Sequence, residues 1–191
     1  MTPLLTGVFA SQITGKLNTF SPTGSYDALA TYTVPSGGVS SITFAGLPTG
    51  GQYSHLQIRA SYKLNSGSQY CTIRFNEDNT ASNYSVHLLG GEGTGSAYAG
   101  GGANTIPYVA QSASTASIFG ASIIDILDFS STTKVKTVRT LLGQDRNGSG
   151  DVALISGAWY NTSSPINSFT IIPNFSAVFS EFSTFSVYGV K

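Results

Sequence analysis

The chain has 191 residues, enough for one β-sandwich or barrel with a full core, and its nine basic and nine acidic residues cancel to a net charge of zero. Charged residues make up only 9% of it, against roughly 25% in an ordinary soluble domain, so there is neither a basic footprint for nucleic acid nor an acidic tail. An aromatic content of 12% together with 22 glycines points to strands rather than helices and supplies too much apolar surface for a disordered chain.

A surface this poor in charge associates readily, because little repulsion keeps copies apart. The lone cysteine, Cys71, excludes an intramolecular disulfide. It sits in phase with Ile73 and Phe75 and is expected to be a small buried hydrophobe. The sequence does not open with a basic stretch followed by an apolar one, and no apolar run reaches about 18 residues. The expectation is a chain made and folded in the cytoplasm, without export or membrane insertion.

Residues 1–25 differ from the rest. They carry one charge, Lys16, and scattered apolar residues, among them Leu4, Leu5, Val8, Phe9, Ile13 and Leu17. Their spacing fits neither a helical nor a strand period. We read this segment as an extended arm that orders against another surface, and residues 26–191 as the folded domain.

Strands are expected from Ala28 to Val34, closed by Pro35-Ser36-Gly37-Gly38, and from Val39 to Phe44. Between Tyr53 and Lys63, Leu56, Ile58, Ala60 and Tyr62 alternate with His55, Gln57, Arg59 and Ser61. Strict alternation predicts a half-buried strand with the apolar set inward. The Cys71 strand follows, then a turn at Glu77-Asp78-Asn79 and a strand from Asn83 to Leu89. Gly90 to Ala116 is read as the longest irregular stretch, rich in glycine and placed at an exposed tip or a subunit contact.

The most strongly patterned segment runs from Ile118 to Leu142. Two β-branched runs flank Ser130-Ser131-Thr132-Thr133, which is a hairpin signal. It holds Asp125, Asp128, Lys134, Lys136 and Arg139 in a chain with few charges. Two aspartates three apart on a strand face opposite sides, a poor geometry for acid–base work. With the turn centred on Ser131, Asp128 lies opposite Lys134, and Asp125 comes near Lys136 and Arg139. These pairs are read as register pins worth some tenths of a kcal/mol. The first run is apolar on both faces: Phe119, Ala121 and Ile123 alternate with Ile118, Ile124 and Ile126. One face is expected in the core and the other under a loop, the arm or a neighbouring subunit.

The loop from Asp145 to Asp151 offers oxygen ligands at Asp145, Asn147, Ser149 and Asp151, with Gly150 at position 6, as a calcium loop does. It lacks the closing glutamate, which Ser156 replaces, and Asn-Gly is also an ordinary turn former. Calcium is therefore the only cofactor the sequence raises, against a plain turn. Strands are expected from Val152 to Asn161, carrying the only tryptophan, Trp159, as a core residue, then from Ile166 to Ile172 and from Phe182 to Val190. About ten short strands between turn clusters give the fold class: all-β, an antiparallel β-sandwich, jelly-roll-like, with an extended N-terminal arm.

His55 and His87 each stand without a second ligand at metal spacing. No nucleophile elbow with a matching His and Asp is present, so no enzymatic activity is expected.

Several segments, in order, resemble a family of small tailed-bacteriophage virion proteins. They include Ser40-Ser41-Ile42-Thr43-Phe44, Tyr53 to Arg59, Ile118 to Asp128, Lys134 to Arg139, Asn147-Gly148-Ser149-Gly150, Ser156-Gly157-Ala158-Trp159 and Phe185-Ser186-Val187-Tyr188-Gly189. Gly90 to Ala116 lies outside the resemblance. It implies a trimeric structural subunit of the virion, with no catalytic residues to carry over. A capsid decoration (cement) protein is the first expectation, partnered by itself and by the major capsid protein, with the arm reaching across capsomers. The second is a tail-fibre tip that recognises host surface glycan.

Overall fold

The computed structural model describes residues 25–66, 69–93, 95–112 and 117–191. The arm residues Leu4, Leu5, Val8, Phe9, Ile13 and Leu17 lie outside them. Among the described residues the chain forms twelve strands: β1 (Tyr26–Thr33), β2 (Ile42–Ala45), β3 (His55–Tyr62), β4 (Gln69–Phe75), β5 (Tyr84–Glu92), β6 (Ser96–Ala103), β7 (Tyr108–Ser112), β8 (Gly120–Leu127), β9 (Lys136–Asp145), β10 (Gly150–Trp159), β11 (Ser168–Pro173) and β12 (Thr184–Val190). One short 3-10 turn, Ala81–Asn83, precedes β5.

These strands make two antiparallel sheets, as the alternating patterns predict. The larger has eight strands in the order β1-β12-β3-β8-β9-β10-β5-β6, and the smaller has four in the order β2-β11-β4-β7. The sheets pack face to face as an unequal β-sandwich. From the large sheet, Leu56, Ile58, Ile124, Ile126, Val138 and Trp159 point inward; Ile42, Phe44, Ile73, Phe75, Phe169 and Ile171 meet them from the small one. Trp159, Tyr62, Tyr84, Phe75, Phe129, Phe169, Phe179 and Phe185 are nearly fully buried, so aromatic volume fills the gap between sheets. Cys71 is buried among them, as expected from its phase with Ile73 and Phe75. Beyond this core, Val86, Leu142, Ala153 and Ile155 form a second small cluster, with Tyr108 of β7 packed against it.

Between Gly90 and Ala116 most of the described residues are in strands, not in a loop. β5 continues through Glu92, all of β6 lies within it, and so does β7 up to Ser112. β6 reads Ser-Ala-Tyr-Ala-Gly-Gly-Gly-Ala and has almost no intrinsic strand preference. Its backbone pairs with β5 from Glu92↔Ser96 to Ser85↔Ala103, and that ladder alone recruits it as an edge strand. The chain then crosses to the small sheet, where β7 pairs with β4. Among the described residues, no helix is long and apolar enough to cross a membrane.

Candidate functional site

The β8–β9 hairpin supplies the charged residues that the sequence singles out. Its turn holds Asp128 in the left-handed region at φ 53°. From there Asp128 accepts a hydrogen bond from Lys134 Nζ at 3.1 Å, the predicted pair. The Asp128 backbone N–H donates to His55 Nδ1 at 3.0 Å, which gives that histidine a structural role. Asp125 lies opposite Arg139 in the ladder, as expected. Its carboxylate is nonetheless engaged by Gln57, whose Nε2 donates to Oδ1 at 2.9 Å.

Lys136 does not pair with Asp125. It opens β9 on the inner face and is completely buried, while Asp125 faces outward. Its Nζ donates to the carbonyls of Asn161 and Ser164, both at 2.6 Å, and stands 5.2 Å from the centre of the Trp159 ring. Burial pushes the Lys136 ammonium below its usual range. Two carbonyls and an aromatic face replace the water it has lost.

Trp159 has an anchor that sequence reasoning missed. Its indole Nε1 donates to Asp78 Oδ2 at 2.8 Å, and Asp78 also accepts from Asn83 and from the Thr80 backbone. Burial alone would raise the Asp78 carboxyl. The hydrogen bonds from Trp159, Asn83 and Thr80 outweigh it and hold the group below the usual carboxylate range. In sequence, Glu77-Asp78-Asn79 shows only a turn, because the partner is 81 residues away.

The four residues read as possible calcium ligands sit on a tight hairpin turn. Asn147 and Gly148 take φ of 59° and 88°, the two positive values of a type I′ turn, and Arg146 N–H donates to the Ser149 carbonyl at 2.6 Å. Gly150 follows at φ 148°, where a Cβ would collide with the Gln144 carbonyl. The reversal takes two residues, unlike the long wrap of a calcium loop. Asp151 is buried, where it accepts from Gln144 at 3.2 Å and faces Arg146 at 3.9 Å; Asp145 accepts from the Gly148 N–H at 3.4 Å. Among the described residues no group of three or more His, Cys, Asp or Glu is placed to hold a metal.

What the fold brings together instead is an apolar surface on the outer face of the large sheet. Leu89, Ile123, Leu141, Val152 and Leu154 are 45–59% exposed there. The strand registers place four of them in one line. Ile123 of β8, Leu141 of β9, Leu154 of β10, Leu89 of β5 and Ala99 of β6 are successive cross-strand partners. The neighbouring row on the same face runs Ala121, Gly143, Val152, Gly91 and Ala97. Across five strands and two rows there is no polar side chain. An exposed patch of this kind is the mark of an association surface.

The same face turns polar toward the other edge. Arg59 Nε donates to Gln57 at 2.9 Å, and its guanidinium lies 4.9 Å from the Tyr188 ring centre and 5.5 Å from that of Tyr26. Arg59, Gln57 and Asp125 thus form a chain of hydrogen bonds flanked by two tyrosines. Where the sheet ends near the Asn147-Gly148 turn, Phe119, Gly91, Gly143, Gln144, Asp145 and Glu92 border an open cleft of about 700 Å³.

Compared with known proteins, the chain matches no family model, no curated protein and no solved structure at a significant level.

Proposed function

We propose that this chain is a structural subunit of a bacteriophage virion, acting as a capsid decoration (cement) protein. The observation that carries the reading is the two-row apolar surface spanning β8, β9, β10, β5 and β6, on a domain with very little charge to keep copies apart. The order of segments that resemble phage virion proteins adds the particle. In this mechanism the chemistry is noncovalent. The subunits form a homotrimer, the apolar sheet surface adds contacts between copies, and the arm, residues 1–25, binds the major capsid protein. Many modest contacts repeated over a shell become cumulatively strong.

Counting copies per purified particle tests this. A decoration protein is present in numbers on the order of hundreds, by the repetition that makes it effective. A few tens or fewer, located at the tail, sinks the reading. Deleting residues 2–20 tests the arm: the truncated chain is expected to fold but not to load the shell.

One observation favours a second reading, a tail-fibre tip that binds host surface glycan. The open cleft is bordered by Phe119 and by Asp145 and Glu92, the mix of ring and hydrogen-bonding groups a sugar requires. Glycan binding by the purified protein, lost on Phe119→Ala, supports the tip; its absence removes it.

A further inference from the structure

We infer that the outer face of the large sheet pairs with the same face of a second copy, about a two-fold axis that passes between β9 and β10 and lies within about 15° of the strand direction. This rests on the reading of that face as an assembly surface.

The face is self-complementary about that line and not about an axis through β10. Rotation places β9 over the partner's β10 and β8 over the partner's β5. In the first apolar row, Leu141 then meets Leu154 and Ile123 meets Leu89, branched aliphatic on branched aliphatic. In the second row, Val152, 54% exposed, stands over Gly143, which has no side chain. A projecting residue meets a hollow, once in each direction. The polar row beside them behaves the same way. Arg139 faces Ser156, a long side chain against a short one, and Asp125 faces His87, a carboxylate against an imidazole. No charge on these rows meets a like charge.

Moving the axis by half a strand spacing destroys the match. An axis through β10 puts Val152 on Val152, leaves Gly143 over Gly91 and sets Arg139 over His87. Protrusion would then meet protrusion, hollow would meet hollow, and two basic groups would be opposed.

The area suffices for a stable pair. The four paired strands at ~4.8 Å and four rows at ~6.8 Å cover roughly 520 Å² per copy, just over about 1,000 Å² in all, the size a specific interface has to reach. Two sheets in face contact cross at about −30°. That rotation displaces the outer pairs most and leaves Leu141–Leu154 and Gly143–Val152, next to the axis, closest to register. An isologous contact of this kind closes on itself and adds copies in twos. A homotrimer built through other surfaces would be joined by it into a six-membered particle.

The test is the solution mass of the full chain and of Leu154→Asp, a substitution at an exposed position that leaves the inner core untouched. The wild-type mass is expected to be that of two chains, or six if a three-fold contact also operates. Leu154→Asp is expected to halve it. A wild-type mass of one or three chains, or a folded Leu154→Asp chain with unchanged mass, overturns the pairing.

A second measurement does not depend on that variant. Leu141→Cys and Leu154→Cys chains, prepared separately and mixed, are expected to form several-fold more disulfide-linked dimer than either alone. Cys71 is buried and does not compete. Equal yields in the three samples overturn the assigned axis. Particle copy number is read separately, so a three-chain mass with hundreds of copies per particle removes the pairing and leaves the decoration role standing. An even mass with no copies on particles does the reverse.

Discussion

The inner and outer faces of β8, β9, β10 and β5 are both hydrophobic, and they meet opposite fates. Inward, Ile124, Val138 and Trp159 are covered by the small sheet and almost inaccessible to water. Outward, Ile123, Leu141, Leu154 and Leu89 stand about half exposed. Apolar content does not distinguish them. The inner face carries the large aromatic rings and a set of buried polar groups, each tied to a specific partner: Tyr62 with Ser122 at 2.8 Å, Trp159 with Asp78 at 2.8 Å, and Lys136 with two carbonyls. The two apolar outer rows carry only aliphatic residues, alanine and glycine. A core needs volume to fill the gap between sheets and satisfied polar groups to fix one arrangement. A surface for association needs flat, low-entropy contact, and small side chains supply it.

The largest effect should come from breaking the inner face at its centre. Trp159→Ala removes the ring that packs on Phe75 at 5.7 Å, takes one donor from Asp78 and uncovers Lys136. A loss of about 3–5 kcal/mol is expected in urea unfolding. Leu141→Ser, on the outer face of an adjacent strand, should change the stability of the isolated chain by no more than about 0.5 kcal/mol. Comparable losses at the two sites would mean that the faces do not differ as described.

The alkaline limb of stability is next in size. Burial, the largest influence, pushes the Tyr84 phenol up to about 12, and Tyr62, more deeply buried, moves in the same direction. A group whose pKa is higher when folded contributes stability that is complete below its unfolded pKa, near 10, and is lost as pH rises through the folded one. Between pH 10 and 12 the unfolded Tyr84 releases its proton while the folded one keeps it. Stability should fall over that window by about 2–3 kcal/mol on account of Tyr84. Tyr84→Phe loses the hydrogen bonds to Phe75 N–H and the Asp78 carbonyl, which lowers stability at neutral pH. It should also flatten the alkaline slope. An unchanged slope in unfolding followed against pH would show that this phenol is not the inner-face group that titrates.

How much of this could be read from the residues alone depends on the range of the interaction. Alternation in Leu56 to Tyr62, the turn clusters and the Asp128–Lys134 pair are local, and each is where the sequence places it. The partner of Trp159 is not local, so Asp78 shows only its turn-forming side. β6 lacks strand propensity and exists by pairing with β5, which is why the glycine-rich stretch reads as a loop. The letters of a calcium loop and of a type I′ turn overlap at Asn147-Gly148, and only backbone angles separate them. The sequence shows that the Ile118–Ile126 run is apolar on both sides. It does not show which side is the core, because that is decided by Phe75, Phe169 and Ile171, which lie in distant segments. For the same reason Lys136 looks like a surface partner for Asp125.

One inner-face group departs from the rule of satisfied polarity and offers a smaller effect of opposite sign. Thr140 is buried in β9, and its Oγ1 has no hydrogen-bond partner among the described residues. A buried hydroxyl without a partner costs about 1–3 kcal/mol of desolvation. Thr140→Val keeps the shape and removes the hydroxyl, so a gain of about 1 kcal/mol is expected, read as a higher urea midpoint with the same slope. A loss would mean that the hydroxyl is bonded in solution and that the inner face has no such exception.

The smallest effect belongs to the feature that looks strongest in the sequence. Lys134 and Asp128 meet at 3.1 Å, yet their side chains are 63% and 35% exposed. An ion pair in that setting gains little, because water and salt screen it and two side chains must be held in place. The turn has other supports: Ser131 Oγ accepts from the backbone N–H groups of Thr133 and Lys134, and Asp128 N–H is held by His55. Register along β8 and β9 is fixed by the buried set, Ile124, Ile126, Val138 and Leu142, since a slip of one residue would carry all of them to the outer face. Lys134→Met should therefore cost no more than about 0.5 kcal/mol and lose its salt dependence. A cost of several kcal/mol would place the register in the charges and not in the difference between the two faces.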